Sequence, residues 1–175
     1  MLSGAYAAYG YVIAKGEERA MGYVCGCMEM AEYVVTRCAE VGRPVTDLHL
    51  QKMLYFLQLG FCSATAGRDL LFPEEFEVWR YGPVLPSVYD RFSVYGGGSI
   101  NRSFECRNLY DKLSVRPNMK SFIDRTIDAL RKKSPWDLVA QTHADGTPWE
   151  MVKTKHGYRA TIPNSLIAEQ AGRFA

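Results

Sequence analysis

Leu50-Gln51-Lys52-Met53-Leu54-Tyr55-Phe56-Leu57-Gln58 and, twenty residues on, Trp79-Arg80-Tyr81-Gly82-Pro83-Val84-Leu85-Pro86-Ser87-Val88-Tyr89 decide how this chain folds. In the first run, Leu50, Met53, Leu54, Leu57 and Phe61 recur at three- and four-residue steps, the spacing of a buried helix stripe. Gln51, Tyr55 and Gln58 follow steps of four and three, so they share a second, polar stripe on the same helix. Thr46 is placed to cap this helix and Gly67 to end it in the left-handed conformation common there. The second run reads as a short strand from Phe76, a turn forced at Gly82-Pro83, and a helix restarted behind Pro86, where a missing amide proton costs nothing.

Outward from these runs the pattern is mostly helical. Val24, Cys27, Met28, Ala31, Val34, Val35, Cys38 and Val41 give one apolar stripe, closed by Gly42 and Pro44. The helix behind Pro86 extends to Tyr95 and stops in Gly96-Gly97-Gly98. Residues 99–116 carry little periodicity. Pro117 opens a helix with Phe122, Ile123, Thr126, Ile127 and Leu130 inward. Ser134-Pro135-Trp136-Asp137 and Thr147-Pro148-Trp149-Glu150 are capping boxes with proline at the first helical position. Residues 158–162 suggest a second short strand, and Asn164 or Ser165 caps a last helix to Ala171. The expectation is a mainly α fold, a single helical domain over residues 21–175 with a small two-stranded β element. Residues 1–20 read as an N-terminal extension, loose or translated from an upstream start.

Composition narrows the function classes. With 175 residues, 47% hydrophobic and 23% charged, the chain can bury a full core. Its net charge of +2 argues for neither nucleic acid nor membrane. Residues 102–133 hold nine basic against four acidic residues, a local excess of five. That excess supports either a solvated face or docking of an acidic partner, and it keeps a nucleic-acid-binding regulator as the alternative function. Five cysteines, an odd number on apolar helix faces, read as reduced thiols in a cytoplasmic protein. No run is apolar enough for a membrane span.

Catalytic and metal chemistry find little support. Cys25 and Cys27 are two apart, a spacing that points them in different directions on a helix, with no second pair to complete a zinc site. Cys62 and Cys106 lack the surroundings of a nucleophile. Gly96-Gly97-Gly98-Ser99 lacks the spacing of a phosphate loop. The expectation is therefore no catalytic residue, no metal and no cofactor.

Taken together, the Leu-Gln-Lys-x-Leu-Tyr-Phe and Tyr-Gly-Pro-Val-x-Pro-x-Val-Tyr runs resemble the Panacea-domain family, which includes SocA-like antitoxins and GepA-like phage-associated proteins. The resemblance covers about residues 29–167 and takes in Leu50, Gln51, Lys52, Tyr55, Phe56, Gln58 and Gly82, then Thr142-His143 and Pro148-Trp149. Met53 and Leu57 are mild departures, and residues 1–20 have no counterpart. The resemblance implies a non-enzymatic antitoxin of a bacterial or prophage toxin–antitoxin pair. It would neutralise a toxin encoded by the adjacent gene through direct protein contact, in one variant delivering the toxin to a protease. Two readings of the polar stripe stand side by side. It holds the 79–86 segment in place, or the turn presents Trp79, Tyr81, Pro83, Pro86, Tyr89 and Arg91 as a rigid toxin-binding patch. Tyrosine and tryptophan suit such a patch because they bury area at small entropic cost.

Overall fold

A computed structural model describes residues 22–173. The expected extension at residues 1–20 lies outside them. The middle of the molecule is one helix, α2 (Asp47–Ala64), whose side chains are buried on nearly every side. A helix buried on nearly every side is a core helix, and α2 carries Asp47, His49, Gln51, Lys52 and Gln58 into that core. Thr46 caps it as expected, accepting a hydrogen bond from His49 N at 3.3 Å.

Before α2 come a two-residue strand β1 (Gly22–Tyr23), helix α1 (Cys27–Glu40) and strand β2 (Val45–Thr46). Glu29 starts α1 by accepting from the Gly26 amide at 3.0 Å. Gly42 at φ +68° turns the chain out of it. After α2 the order is β3 (Asp69–Leu70), β4 (Phe76–Trp79), β5 (Gly82–Val84), α3 (Pro86–Phe92), a 3-10 turn over Ser93–Tyr95, and β6 (Ser99–Ile100). Helices α4 (Arg107–Ser114), α5 (Pro117–Leu130), α6 (Pro135–Thr142) and α7 (Pro148–His156) follow, then β7 (Thr161–Ile162) and α8 (Asn164–Arg173). Helix α2 packs against α1, α5, α6 and α8 and against β5.

The fold is mainly α with minor β, as the pattern implied. The β part is larger than one two-stranded element. β5-β4-β7 form an antiparallel three-stranded sheet, β1 pairs with β3 in parallel, and β2 pairs with β6 antiparallel. Strands of two residues are too short to show alternation, so periodicity could not reveal them.

Two local expectations are corrected. The reversal between β4 and β5 is at Arg80-Tyr81, not at Gly82-Pro83, because Trp79 pairs with Gly82 and Val78 with Pro83. Gly82, at φ +98°, closes this two-residue loop, and Pro83 is tolerated because β5 is an edge strand. The second correction is α4, in a region read as unpatterned. Leu109 and Leu113 are its two buried helical residues, enough for one narrow contact but too few for a periodic signal.

Both proline capping boxes start helices. Ser134 Oγ accepts from Asp137 N at 3.0 Å, and Asp137 accepts from Ser134 N in return. Thr147 Oγ1 accepts from Glu150 N at 3.2 Å, whereas the Glu150 carboxylate reaches one residue further back to Gly146 N. Helices α1 and α5 are joined by charge. Asp124 accepts from Tyr33 at 2.6 Å and from Lys120 at 2.6 Å, and Arg37 pairs with Asp128 at 2.9 Å.

Trp149, one residue into α7, is buried and donates its indole N–H to Trp79 O at 3.1 Å, tying α7 to β4. Trp149→Ala should therefore cost about 3–5 kcal/mol, read from urea unfolding. A loss under about 0.5 kcal/mol would place the ring at the surface.

Candidate functional site

A core helix can carry polar side chains only if each finds a partner. Gln51, Lys52 and Gln58 on α2 do so through main-chain atoms of the 71–73 and 83–85 segments, and His49 Nε2 lies 3.3 Å from Leu130 O. Gln51 Oε1 accepts from Leu85 N at 2.9 Å and its Nε2 donates to Leu85 O at 3.5 Å. Lys52 Nζ donates to Pro83 O at 2.6 Å. Gln58 Oε1 accepts from Leu71 N at 2.9 Å and Phe72 N at 3.3 Å, while its Nε2 donates to Phe72 O at 3.0 Å. The same Nε2 donates to Asn164 Oδ1 at 3.1 Å, and Asn164 Nδ2 donates to Pro73 O at 2.8 Å. Helix α2 thus does for β5 and the 71–73 segment what a further strand would do.

Tyr55 departs from the stripe's expected role. Its hydroxyl is buried with no partner, and its ring packs edge-on against Phe76 at 5.4 Å. Burial sets its environment: the phenol is pushed far above its ordinary value. Phe56 and Leu50 are core residues beside it.

Lys52 is fully buried. Burial pulls its amine down to about 7, with the Asp47 carboxylate opposing. Burial likewise raises Asp47, whose Oδ1 has no hydrogen-bond partner. The lysine tip lies under Gly82. A Cβ at position 82 would meet Thr142 Oγ1 at 2.6 Å and Lys52 Nζ at 3.0 Å, so glycine is required by space as well as by φ. Thr142 caps its own helix end through Val139 O and accepts on its carbonyl from Thr147 Oγ1 at 2.7 Å. His143 stacks on Trp149 with ring centroids 3.9 Å apart and 11° between planes. Burial lowers its imidazole below the ordinary value, and the Lys52 and Lys153 charges add to this. The 142–143 and 148–149 pairs therefore form the wall against which the 79–83 hairpin rests.

On the outside of that hairpin the aromatic residues fall into two groups. Trp79 and Tyr89 meet at 4.8 Å, with the Arg159 guanidinium 3.7 Å above the Trp79 ring. Tyr81 meets Trp136 edge-on at 5.5 Å, and Arg80 lies 5.4 Å from the Tyr81 ring centre. Tyr81 is 46% exposed and Trp136 58%. Pro83 is buried, because its carbonyl must reach Lys52, and this takes it out of any contact patch. Pro86 is half-buried at the start of α3. Arg91 sits over Phe104 at 5.7 Å and Phe92 at 5.9 Å. Two residues past Tyr89 on a helix, it faces another side and leaves the group. Trp136 and Arg159 join instead. Trp136 was legible only as part of a capping box, and Arg159 had no signal in the sequence.

Four of the nine basic residues in the 102–133 stretch have acidic partners. Arg107 pairs with Glu105, Lys112 with Glu29, Lys120 with Asp124 and Arg131 with Asp128. Cys62 is buried and its thiol pushed up to about 12 by burial, so it is protonated at neutral pH. Cys106 is also buried and raised, beside Thr36 Oγ1 at 3.9 Å. Among the described residues no group of three or more His, Cys, Asp or Glu side chains could hold a metal ion. Among them, too, no helix is long and apolar enough to cross a membrane.

The family model described as "Antitoxin SocA-like, Panacea domain" matches residues 50–150. It begins at the clamp on α2 and ends just past Trp149, so the hairpin and the wall behind it both lie inside. "Antitoxin SocA" of Caulobacter vibrioides is 31% identical over 135 residues, covering 73% of this chain and 70% of its own length. No solved structure matches.

Two outcomes test the clamp. Gly82→Ala should cost about 1–3 kcal/mol for the backbone alone, with displacement of Thr142 or Lys52 in addition, read from urea unfolding. The Lys52 amine releases its proton near 7 when folded and near its ordinary 10.5 when unfolded. Between those values the unfolded chain holds the extra proton, so this group makes stability rise with pH and imposes its full penalty below 7. Wild-type stability relative to Lys52→Met should climb by on the order of 1 kcal/mol per unit between about pH 7.5 and 9. Equal slopes for the two proteins would show the amine to be charged in the fold.

Proposed function

This chain belongs to the SocA-like, Panacea-domain antitoxin family, and from that premise we propose that it is the antitoxin of a bacterial toxin–antitoxin pair. It neutralises a toxin encoded by the adjacent gene by direct contact in the cytoplasm and catalyses nothing itself. Delivery of the bound toxin to a protease is the same binding role with a second partner added.

One observation carries this reading. The hairpin that exposes Tyr81, with Trp79 and Tyr89 behind it, is fixed from beneath by buried side chains of the central helix rather than left as a free loop. A contact patch that is rigid before binding loses little entropy on binding. Large rings at its centre give the kind of anchor that dominates protein interfaces, which bury about 1,600 Å² in total. The likeness to a protein named Antitoxin SocA supports the same role.

Co-expression tests it. The neighbouring gene should be toxic alone and tolerated with this one. Tyr81→Ala combined with Tyr89→Ala should abolish rescue while stability falls by less than about 1 kcal/mol, since both rings are exposed. Rescue by the double variant, or a collapsed melt, would assign these rings a structural role alone.

A further inference from the structure

We propose that the partner segment seated on this hairpin is acidic, and that it docks along a strip of cation-topped aromatic rings running from Trp136 through the hairpin to Tyr158. The inference rests on the antitoxin reading above and names the chemistry of the partner.

Three cations lie over ring faces here, each from a different element. Arg80, in the hairpin turn, covers Tyr81; Arg159 covers Trp79; Lys153, on α7, is 5.4 Å from the Trp149 ring centre and 6.0 Å from that of Tyr158. A ring beneath a cation fixes its direction and leaves its N–H groups outward. Of these rings Tyr81 and Tyr158 are open, the latter at 56%, whereas Trp79 is half-buried and Trp149 is buried.

Several cations elsewhere on the molecule are held by carboxylates. Lys112, Lys120 and Arg131 have carboxylates at 3.3, 2.6 and 3.0 Å, and Arg37 has two. Among the described residues Arg80 and Lys153 have no carboxylate within 4.0 Å. Arg159 has Glu77 at 3.9 Å, and that same Oε2 already accepts from Trp79 Nε1 at 2.8 Å. Nearby acids are engaged locally at the surface: Asp137 accepts from Ser134 N, and Glu150 from Thr154 and Gly146 N. Asp90 adjoins Tyr89 but is turned about 100° from it around α3.

The backbone adds an independent sign. Arg159 has φ +70°, a left-handed conformation that favours glycine. It is held there by Arg159 N donating to Val78 O at 2.7 Å and Val78 N donating to Ala160 O at 2.8 Å. A strained position that carries a long cation, aimed at an indole on the outer face, fits a contact site better than a turn built for stability. The complement of these ring-held cations beside the open rings of Tyr81, Trp136 and Tyr158 is a segment bearing several carboxylates around an apolar side chain.

The test uses the full chain and the co-expressed product of the adjacent gene. Binding is titrated for wild type, for Arg80→Glu with Arg159→Glu, and for Trp136→Ala, with circular dichroism confirming the fold. The charge reversal should weaken binding at least about 30-fold and abolish rescue, and Trp136→Ala should weaken it about 10-fold. Zero-length carbodiimide coupling of the wild-type complex should join Lys153 to an Asp or Glu of the partner. Reversal variants that bind within about threefold of wild type and still rescue overturn the acidic strip while leaving the antitoxin role standing. Loss of nucleic-acid retention, with partner binding intact, overturns it in favour of a phosphate ligand. A wild-type chain that forms no complex and rescues nothing removes both readings together.

Discussion

The hydrogen bonds from Gln51, Lys52 and Gln58 to main-chain atoms are what the rest of the structure depends on. A chain with many two-residue strands has a problem of unpaired backbone, since short strands leave most of their amides and carbonyls without ladder partners. Here the central helix supplies the missing partners from its own side chains. Each glutamine offers a carbonyl and an amide at its tip, so one residue can satisfy both directions of a neighbouring peptide. Gln58 does so for Phe72, Gln51 for Leu85. Both segments are thereby fixed to one helix, and the distance between them along α2 sets where the hairpin and the β1–β3 pair stand.

Lysine in the same row solves the problem differently and at a cost. A glutamine at 52 would add a second acceptor where Pro83 has no N–H to give. The lysine tip is a donor only, which matches a proline carbonyl, but burial then disfavours its charge. The amine donates whether charged or neutral, so the hydrogen bond survives loss of the proton without an ion pair. Among the described residues Asp47 Oδ1 and the Tyr55 hydroxyl are buried with no hydrogen-bond partner. Such groups each cost stability, and the fit of the apolar stripe must offset them.

The elements legible in the sequence were those with local causes. The α1 and α2 stripes, the Thr46, Ser134 and Thr147 caps and the proline-initiated α3 and α5 all depend on residues within a turn or two. What escaped was settled by distant contacts. Helix α4 rests on two leucines, and the paired strands are too short to alternate. Gly82-Pro83 looks like a turn because that dipeptide usually is one, yet pairing with β4 draws it into a strand. The role of the polar stripe was half visible. Spacing put Gln51, Tyr55 and Gln58 together, but it could not tell that the Tyr55 hydroxyl would find no partner among the described residues or that Lys52, a residue type almost never fully buried, would be buried completely. On the outer face Trp79 meets Tyr89 while Tyr81 meets Trp136, so residues close in sequence divide between two ring contacts. Pro83 and Arg91 join neither, and Trp136 and Arg159 arrive from elements 50 or more residues away, beyond the reach of any local pattern.

The clamp and the outer strip are independent in cause, and this bears on how such a fold could serve different partners. Gln51 and Lys52 hydrogen-bond this segment through Leu85 N and O and Pro83 O, atoms present whatever side chains the segment carries. Apart from Gly82, which space and φ both fix, the hairpin is held by recognition of its backbone. Residues pointing outward from it, Arg80, Tyr81 and Trp79 among them, can therefore change without loosening the attachment. A scaffold of this kind keeps its stability in main-chain contacts on the inside and its specificity in side chains on the outside, so the two need not be traded against each other.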